Sequence, residues 1–154
     1  MKIILFSRRG LAFQAEELQT LREVIAEFGF DYAVNEEFAE ILKELIGWEI
    51  PSSQRYGAHI ATEDQEAVLV CYGGDGTLLE GVHRLHNKNT IVAGINFGHL
   101  GFLTTATREG VEPLFEDIAM DRLHIHPRTM LQIEGINQCD EVVTALNWVS
   151  GWSK

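Results

Sequence analysis

The residues best suited to chemistry form one short run, Gly73-Gly74-Asp75-Gly76-Thr77, placed between the apolar stretch Ala67 to Tyr72 and a helical pattern. Three glycines permit backbone with positive φ and let a ligand approach the main chain, and the following helix offers unpaired N–H groups to anionic oxygens. Asp75 is the one charged group in this turn, placed where an enzyme would set a catalytic carboxylate beside a phosphate. The simpler reading is a tight turn in which Asp bonds its own backbone. That reading suffices for an isolated Asp-Gly pair. Here backbone freedom, carboxylate and hydroxyl coincide at the carboxyl end of a buried strand, where open α/β sheets bind ligands. The spacing is not that of a Walker A loop, no Lys follows the last Gly, and the dinucleotide fingerprint is absent. A catalytic role makes one demand on the structure. An Asp75 oxygen must face a cavity and must not be consumed by neighbouring amides.

The elements that position this run can be read in order. Lys2 to Phe6 is a short apolar strand, followed by the polar turn Ser7-Arg8-Arg9-Gly10. Leu18, Leu21, Ile25 and Phe28 recur at helical spacing over Ala15 to Phe28, with Gly29 as the stop. Phe38, Ile41, Leu42, Leu45 and Ile46 mark a second helix. Residues 51 to 57 read as an irregular, mobile linker. Glu66 to Tyr72 is the strand that feeds the glycine turn, and Leu78, Leu79, Val82 and Leu85 continue as an amphipathic helix. Thr90 to Ile95 is a further strand, and Val111, Leu114, Phe115 and Ile118 give one more helix. Between them, residues 96 to 103 form a second glycine-rich loop, more apolar than a surface connection should be. Phe97, Leu100 and Phe102 have two open readings, as ligand contacts or as core under the loop. Alternating strands and helices predict an open, mainly parallel α/β sheet with helices on both faces. From Leu123 the pattern changes to two strands, His124 to Glu134 and Glu141 to Asn147, joined by a turn at Gly135-Ile136-Asn137. That succession predicts an antiparallel unit, and hence domains at 1–122 and 123–154.

Composition narrows the function classes. A chain of 154 residues is about one ordinary domain. A formal net charge of −11 disfavours nucleic acid and anionic membranes as partners, and would repel a polyphosphate unless a divalent cation or local basic group intervened. No apolar run reaches the length of a membrane span, and Lys2 to Phe6 is too short for a signal peptide, which points to the cytoplasm. Cys71 and Cys139 have neither disulfide nor metal spacing, so both are read as plain thiols. His124 and His126 share a face if they lie on a strand, but with only the distant His99 to join them they read as a surface pair, and no metal site is expected. Arg8 and Arg9, near the sheet's carboxyl edge, and Arg84, on the helix after the glycine turn, are candidate phosphate contacts, for which solvated surface is the competing reading.

The motifs together resemble the amino-terminal part of the NAD kinases, enzymes that phosphorylate NAD to NADP. Gly73-Gly74-Asp75-Gly76-Thr77 resembles the family's signature loop and residues 94 to 103 its second loop. Arg128-Thr129-Met130-Leu131 followed by Ala145-Leu146-Asn147 resembles the entry to its second domain. The resemblance implies transfer of the γ-phosphate of ATP, with Mg2+ or another divalent cation, to the adenosine ribose 2′-hydroxyl of NAD. Asp75 would accept the hydroxyl proton, and Gly73, Gly74, Gly76 and Thr77 would line phosphate and ribose. Phe102 would lie beside adenine, and Asn147 would hold NAD. The intact protein is expected to form a homo-oligomer. Lipid kinases share the first loop and are the alternative among enzymes, and a non-catalytic nucleotide-binding module is the alternative outside them. Charge argues against a membrane-facing lipid kinase.

The chain departs from the family pattern at its end. Trp148 stands where the family has an acidic residue, and the chain stops at Lys154. The expectation is an incomplete second domain and a chain that is inactive or nearly so. Its two-strand remnant should place Leu131, Ile133, Val143 and Leu146 against the first domain or another copy, because an open edge and apolar face invite pairing.

Overall fold

The structure, a computed structural model, describes residues 1–60, 66–86, 89–97, 101–133 and 143–147, the two segments 129–133 and 143–147 by their backbone alone. Six strands form one sheet: β1 (Lys2–Phe6), β2 (Asp31–Asn35), β3 (Arg55–Tyr56), β4 (Ala67–Tyr72), β5 (Ile91–Asn96) and β6 (Ala106–Thr107). Their spatial order is β3-β2-β1-β4-β5-β6 and every pairing is parallel. The central pair is in register from Lys2 opposite Ala67 to Phe6 opposite Cys71. Because β4 is covered on both faces, its sequence AVLVCY is apolar throughout and every residue is buried.

The helices divide between the two faces. Ile3 and Leu5 of β1 and Val68, Val70 and Tyr72 of β4 share a core with Leu18, Leu21, Val24 and Ile25 of α1 (Ala15–Glu27). Phe38, Ala39, Ile41 and Leu42 of α2 (Glu36–Ile46) and Val111, Leu114, Phe115 and Ile118 of α4 (Val111–Ala119) complete that core. The alternate residues Phe6, Leu69 and Cys71 meet α3 (Asp75–Arg84) on the opposite face, where Gly81 lets the helix come close. Each large apolar side chain so covered contributes roughly 1.5–3 kcal/mol relative to exposure. The open parallel sheet with helices on both faces is therefore as the sequence pattern predicts.

Three short strands differ from the reading of the sequence. The stretch read as irregular linker contains a 3-10 turn, Ser52–Gln54, and edge strand β3. β2 and β6 have no counterpart among the strands that the sequence pattern predicts; β2 has the sequence DYAVN, and β6 is two residues long. Tyr56 Oη donates to the Leu5 carbonyl at 2.8 Å and so ties the region of β3 back to the centre of the sheet.

The chain divides into two compact units, Met1–Leu123 and His124–Lys154. In the second, β7 (Thr129–Ile133) pairs antiparallel with β8 (Val143–Asn147), Thr129 opposite Asn147 and Ile133 opposite Val143. The pair is antiparallel as expected, with β7 beginning five residues later than the His124 of the predicted strand. His124 and His126 precede it and are exposed. The side chains of Leu131, Ile133, Val143, Leu146 and Asn147, and the whole of His99, Leu100, Cys139 and the predicted turn at 135–137, lie outside the described residues.

Candidate active site

From β1 the chain winds outward through β2 to β3, and from β4 outward the other way through β5 to β6. Where the winding reverses, the connections after neighbouring strands leave to opposite faces and open a crevice at the strands' carboxyl ends. In this sheet the reversal falls between the turn after β1 and the glycine turn after β4. The strand ends there are stapled. Ser7 Oγ donates to the Tyr72 carbonyl at 2.6 Å, Asn35 Oδ1 accepts from the Ser7 N–H at 3.1 Å, and Asn35 Nδ2 donates to the Ser7 carbonyl at 2.9 Å. All three bonds are buried, so the ends of β1, β2 and β4 are held as one rigid edge.

The first loop leaves that edge through Gly73, whose φ of 154° favours glycine. A Cβ there would also collide with the Thr77 side chain and Leu11. Gly73 N–H donates to the Ile95 carbonyl at 2.8 Å, carrying the sheet's bonding into the turn. The Thr77 and Leu78 amides turn back onto the Gly74 carbonyl, both at 3.1 Å, and α3 begins at Asp75. Thr77 is fully buried, and its Oγ1 has no hydrogen-bond partner among the described residues. Gly76 is exposed, with the Arg8 guanidinium beside it.

Asp75 is half-buried, and its carboxylate spans the gap to the second loop. Oδ2 accepts from Phe102 N–H at 2.9 Å, and Oδ1 accepts from Leu103 N–H at 3.1 Å and Thr104 N–H at 3.3 Å. A carboxylate has about four lone-pair positions, so three amides leave one, on Oδ2. The sequence reading demands a carboxylate that neighbouring amides do not consume; against that expectation three amides bond it, and one lone-pair position is left, on Oδ2. A side chain at Gly101 would overlap the carboxylate, and Gly101 N–H is itself turned onto Thr104 Oγ1 at 2.8 Å.

The aromatic residues of the second loop separate. Phe97 joins the core, edge-on to Phe13 with ring centres 5.1 Å apart and 5.1 Å from Tyr72, with Arg108 above its ring at 5.3 Å. Phe102 is 80% exposed, and its backbone N–H is the one that bonds Asp75 Oδ2. Among the basic residues, Arg9 is held on α2 by both oxygens of Glu44, at 2.9 and 3.2 Å. Arg84 pairs with Glu80 at 2.7 Å and lies over the Phe6 ring. Arg8, 3.4 Å from Glu80, is the one of the three that stands at the glycine turn.

Behind the crevice wall Glu17 and Arg108 form an ion pair at 2.9 Å, a charge contact and not an aligned hydrogen bond. Glu17 is 8% exposed, and its desolvation raises its pKa against the opposing pull of Arg108. Neither this pair nor the Ser7–Asn35 staple carries a local sequence signature, because the partners are far apart along the chain. Only the polar residues themselves, set at the ends of apolar runs, hint at them.

Residues 7–123 match the ATP-NAD kinase N-terminal domain. The chain belongs to that family. Two curated relatives illustrate the distance: an NAD kinase of Bacteroides fragilis is 27% identical over 133 residues, covering 86% of this chain and 45% of the relative. An NAD kinase of Methanothermobacter thermautotrophicus is 28% identical over 149 residues, covering 97% of this chain and 48% of the relative. The chain thus spans about half the length of the curated relatives it matches. A crystal structure of yeast NADH kinase complexed with NADH has the same fold, with a TM-score of 0.63 at 18% identity over 95% of this chain and 46% of that one. Membership makes the chain part of a nucleotide-binding kinase family. No helix among the described residues is long and apolar enough to cross a membrane.

Proposed function

We propose that this chain supplies the nucleotide-binding half of a kinase that moves the γ-phosphate of ATP to the adenosine ribose 2′-hydroxyl of NAD, giving NADP. The observation that carries the reading is Asp75 at the reversal of the sheet, with one Oδ2 position open beside the exposed Phe102. In the step proposed, the ribose oxygen bonds the γ-phosphorus as the bond to the β–γ bridging oxygen breaks. ADP leaves with that electron pair, and the hydroxyl proton passes to Asp75 Oδ2. Such a transfer asks the protein mainly to position groups and spread charge, and a base need only reach the attacking hydroxyl.

Gly73, Gly74, Gly76 and Thr77 would shape the phosphate and ribose side of the site, and Phe102 would lie against adenine. Asn147, whose backbone ends β8, would hold NAD. A divalent cation, Mg2+ or an equivalent, would enter with the triphosphate and offset the chain's acidic charge. Asp75 fits poorly as a fixed metal ligand, since three amides already occupy it. Because the chain spans about half of its relatives' length, we propose that alone it is inactive or nearly so, and that the intact enzyme is a cytoplasmic homo-oligomer.

A coupled assay of NADP formation from NAD and ATP tests this, applied to the chain alone and to the chain extended by the carboxyl-terminal half of a relative. Turnover is expected in the extended form and a loss of roughly a hundredfold or more with Asp75→Asn. A folded extended form that makes no NADP overturns the assignment, and retained turnover in Asp75→Asn overturns the role of the base.

A further inference from the structure

We propose that Asp75 is also the positioning residue of the second glycine loop, gathering the amides of residues 102 to 104 so that the loop presents the exposed Phe102 side chain from a fixed backbone. Three successive N–H groups converging on one point make a nest, a backbone concavity with the field of an anion site. Here the anion is internal. The bonds of 2.9, 3.1 and 3.3 Å come from consecutive residues, 27 to 29 positions along the chain from Asp75. Without the carboxylate these donors face one another with no acceptor between them, and the loop loses its reason to hold that shape.

Gly101 makes the arrangement sterically specific. A Cβ there would overlap the Asp75 carboxylate, so the residue must lack a side chain to leave room for the acceptor. Thr104, buried, closes the segment from within by accepting Gly101 N–H at 2.8 Å on Oγ1. The loop is further tied to β5, since Thr105 N–H donates to the Gly94 carbonyl at 2.8 Å and Gly94 N–H to Thr105 Oγ1 at 3.2 Å. The segment 101 to 104 thus bonds Asp75 through residues 102 to 104, and Thr105, which follows it, ties the loop to the sheet. Phe102, 80% exposed, belongs to the part whose N–H groups bond the carboxylate. Asp75 therefore sets two features together, the hydrogen-bond acceptor for a ligand hydroxyl and the backbone that presents the Phe102 side chain. The use of the ring by a nucleotide base rests on the function proposed above; the clasp itself does not.

Amide hydrogen exchange by NMR on the 154-residue chain tests the clasp. The Phe102, Leu103 and Thr104 amides should exchange roughly ten- to a hundredfold more slowly in the wild type than in Asp75→Asn, as for hydrogen bonds to a charged acceptor. Gly101→Ala should lose the same protection with Asp75 still present, whereas Phe102→Ala should keep it. The aromatic 13C resonances of Phe102 should move in both Asp75→Asn and Gly101→Ala. Protection of Ile95 in the sheet reports whether each variant has folded, and if Asp75→Asn has not, Gly101→Ala decides. Wild-type amides as fast as those of the variants, or an unmoved Phe102 ring in a folded variant, overturn the proposal. Protected amides with no NADP formation in the extended chain would refute the kinase reading alone. Turnover with unprotected amides would refute the clasp alone.

Discussion

A buried polar atom matters most when it lacks a partner, and two residues of the wall behind the glycine turn test this. Tyr72 Oη and Glu17 Oε2 are both buried without a hydrogen-bond partner among the described residues. The Tyr72 ring is a different matter, packed against Phe38 and Phe97. Removing an unpaired hydroxyl relieves a desolvation cost, whereas removing the ring opens a cavity. Tyr72→Phe is therefore expected to leave the melting temperature unchanged or raise it, and Tyr72→Ala to cost about 3–5 kcal/mol in chemical denaturation. Glu17 gives a pH test. Burial first, with Glu16 and Glu109 adding, raises its folded-state pKa above the ordinary 4.5 despite Arg108. The folded state then holds this proton more tightly than the unfolded chain, so its contribution to stability falls as pH rises from about 4.5 through the raised value. Glu17→Gln cannot ionise and should gain stability relative to the wild type across that interval. Denaturation curves at pH 4 and pH 7 check it, and a wild type that gains on the variant would contradict the sign.

At the scale of elements, the site's accuracy depends on how strands end and how closely α3 approaches the sheet. Asn35 sits just before α2, where a side-chain cap would be expected, yet it makes no cap bond and brackets Ser7 instead. Asn35→Ala leaves the buried Ser7 N–H and carbonyl without that partner and should cost about 1–3 kcal/mol. A thermal melt would measure it, and a neutral result would show that the strand ends need no staple. For α3, alanine at Gly81 should gain about 1 kcal/mol of helix propensity. Its Cβ would stand 2.6 Å from Cys71 Sγ and 3.0 Å from Phe6, an overlap worth roughly 1–3 kcal/mol of strain. The overlap should win, and Gly81→Ala should melt lower. These contacts also show what the sequence could reveal. β1, β4 and β5 were legible as apolar runs because helices cover both their faces, and Gly73 to Thr77 because its functional groups are consecutive. β3 and β6, two residues each, are too short to display a period. The carboxylate clasp was illegible because its partners come from another loop, and no local pattern in Gly101 to Thr104 names Asp75 as the acceptor.

For the molecule as a whole, the distribution of the core decides what can fold alone. Among the described side chains, the main apolar cluster, from Ile3 to Ile118, and those packed against it, as far as Leu123, belong to the first unit. The six-stranded sheet and its four helices lie within the same span. Among the described residues the second unit adds a two-stranded antiparallel pair, and such a pair by itself is marginal in water. Stability should therefore reside in residues 1–123. A chain ending at Leu123 is expected to melt cooperatively, with a midpoint within a few degrees of the 154-residue chain and with the Phe102 to Thr104 amides still protected. Circular dichroism melts and amide exchange on the two lengths measure this directly. A non-cooperative melt of the shorter chain would mean that the sheet draws essential support from beyond its own core.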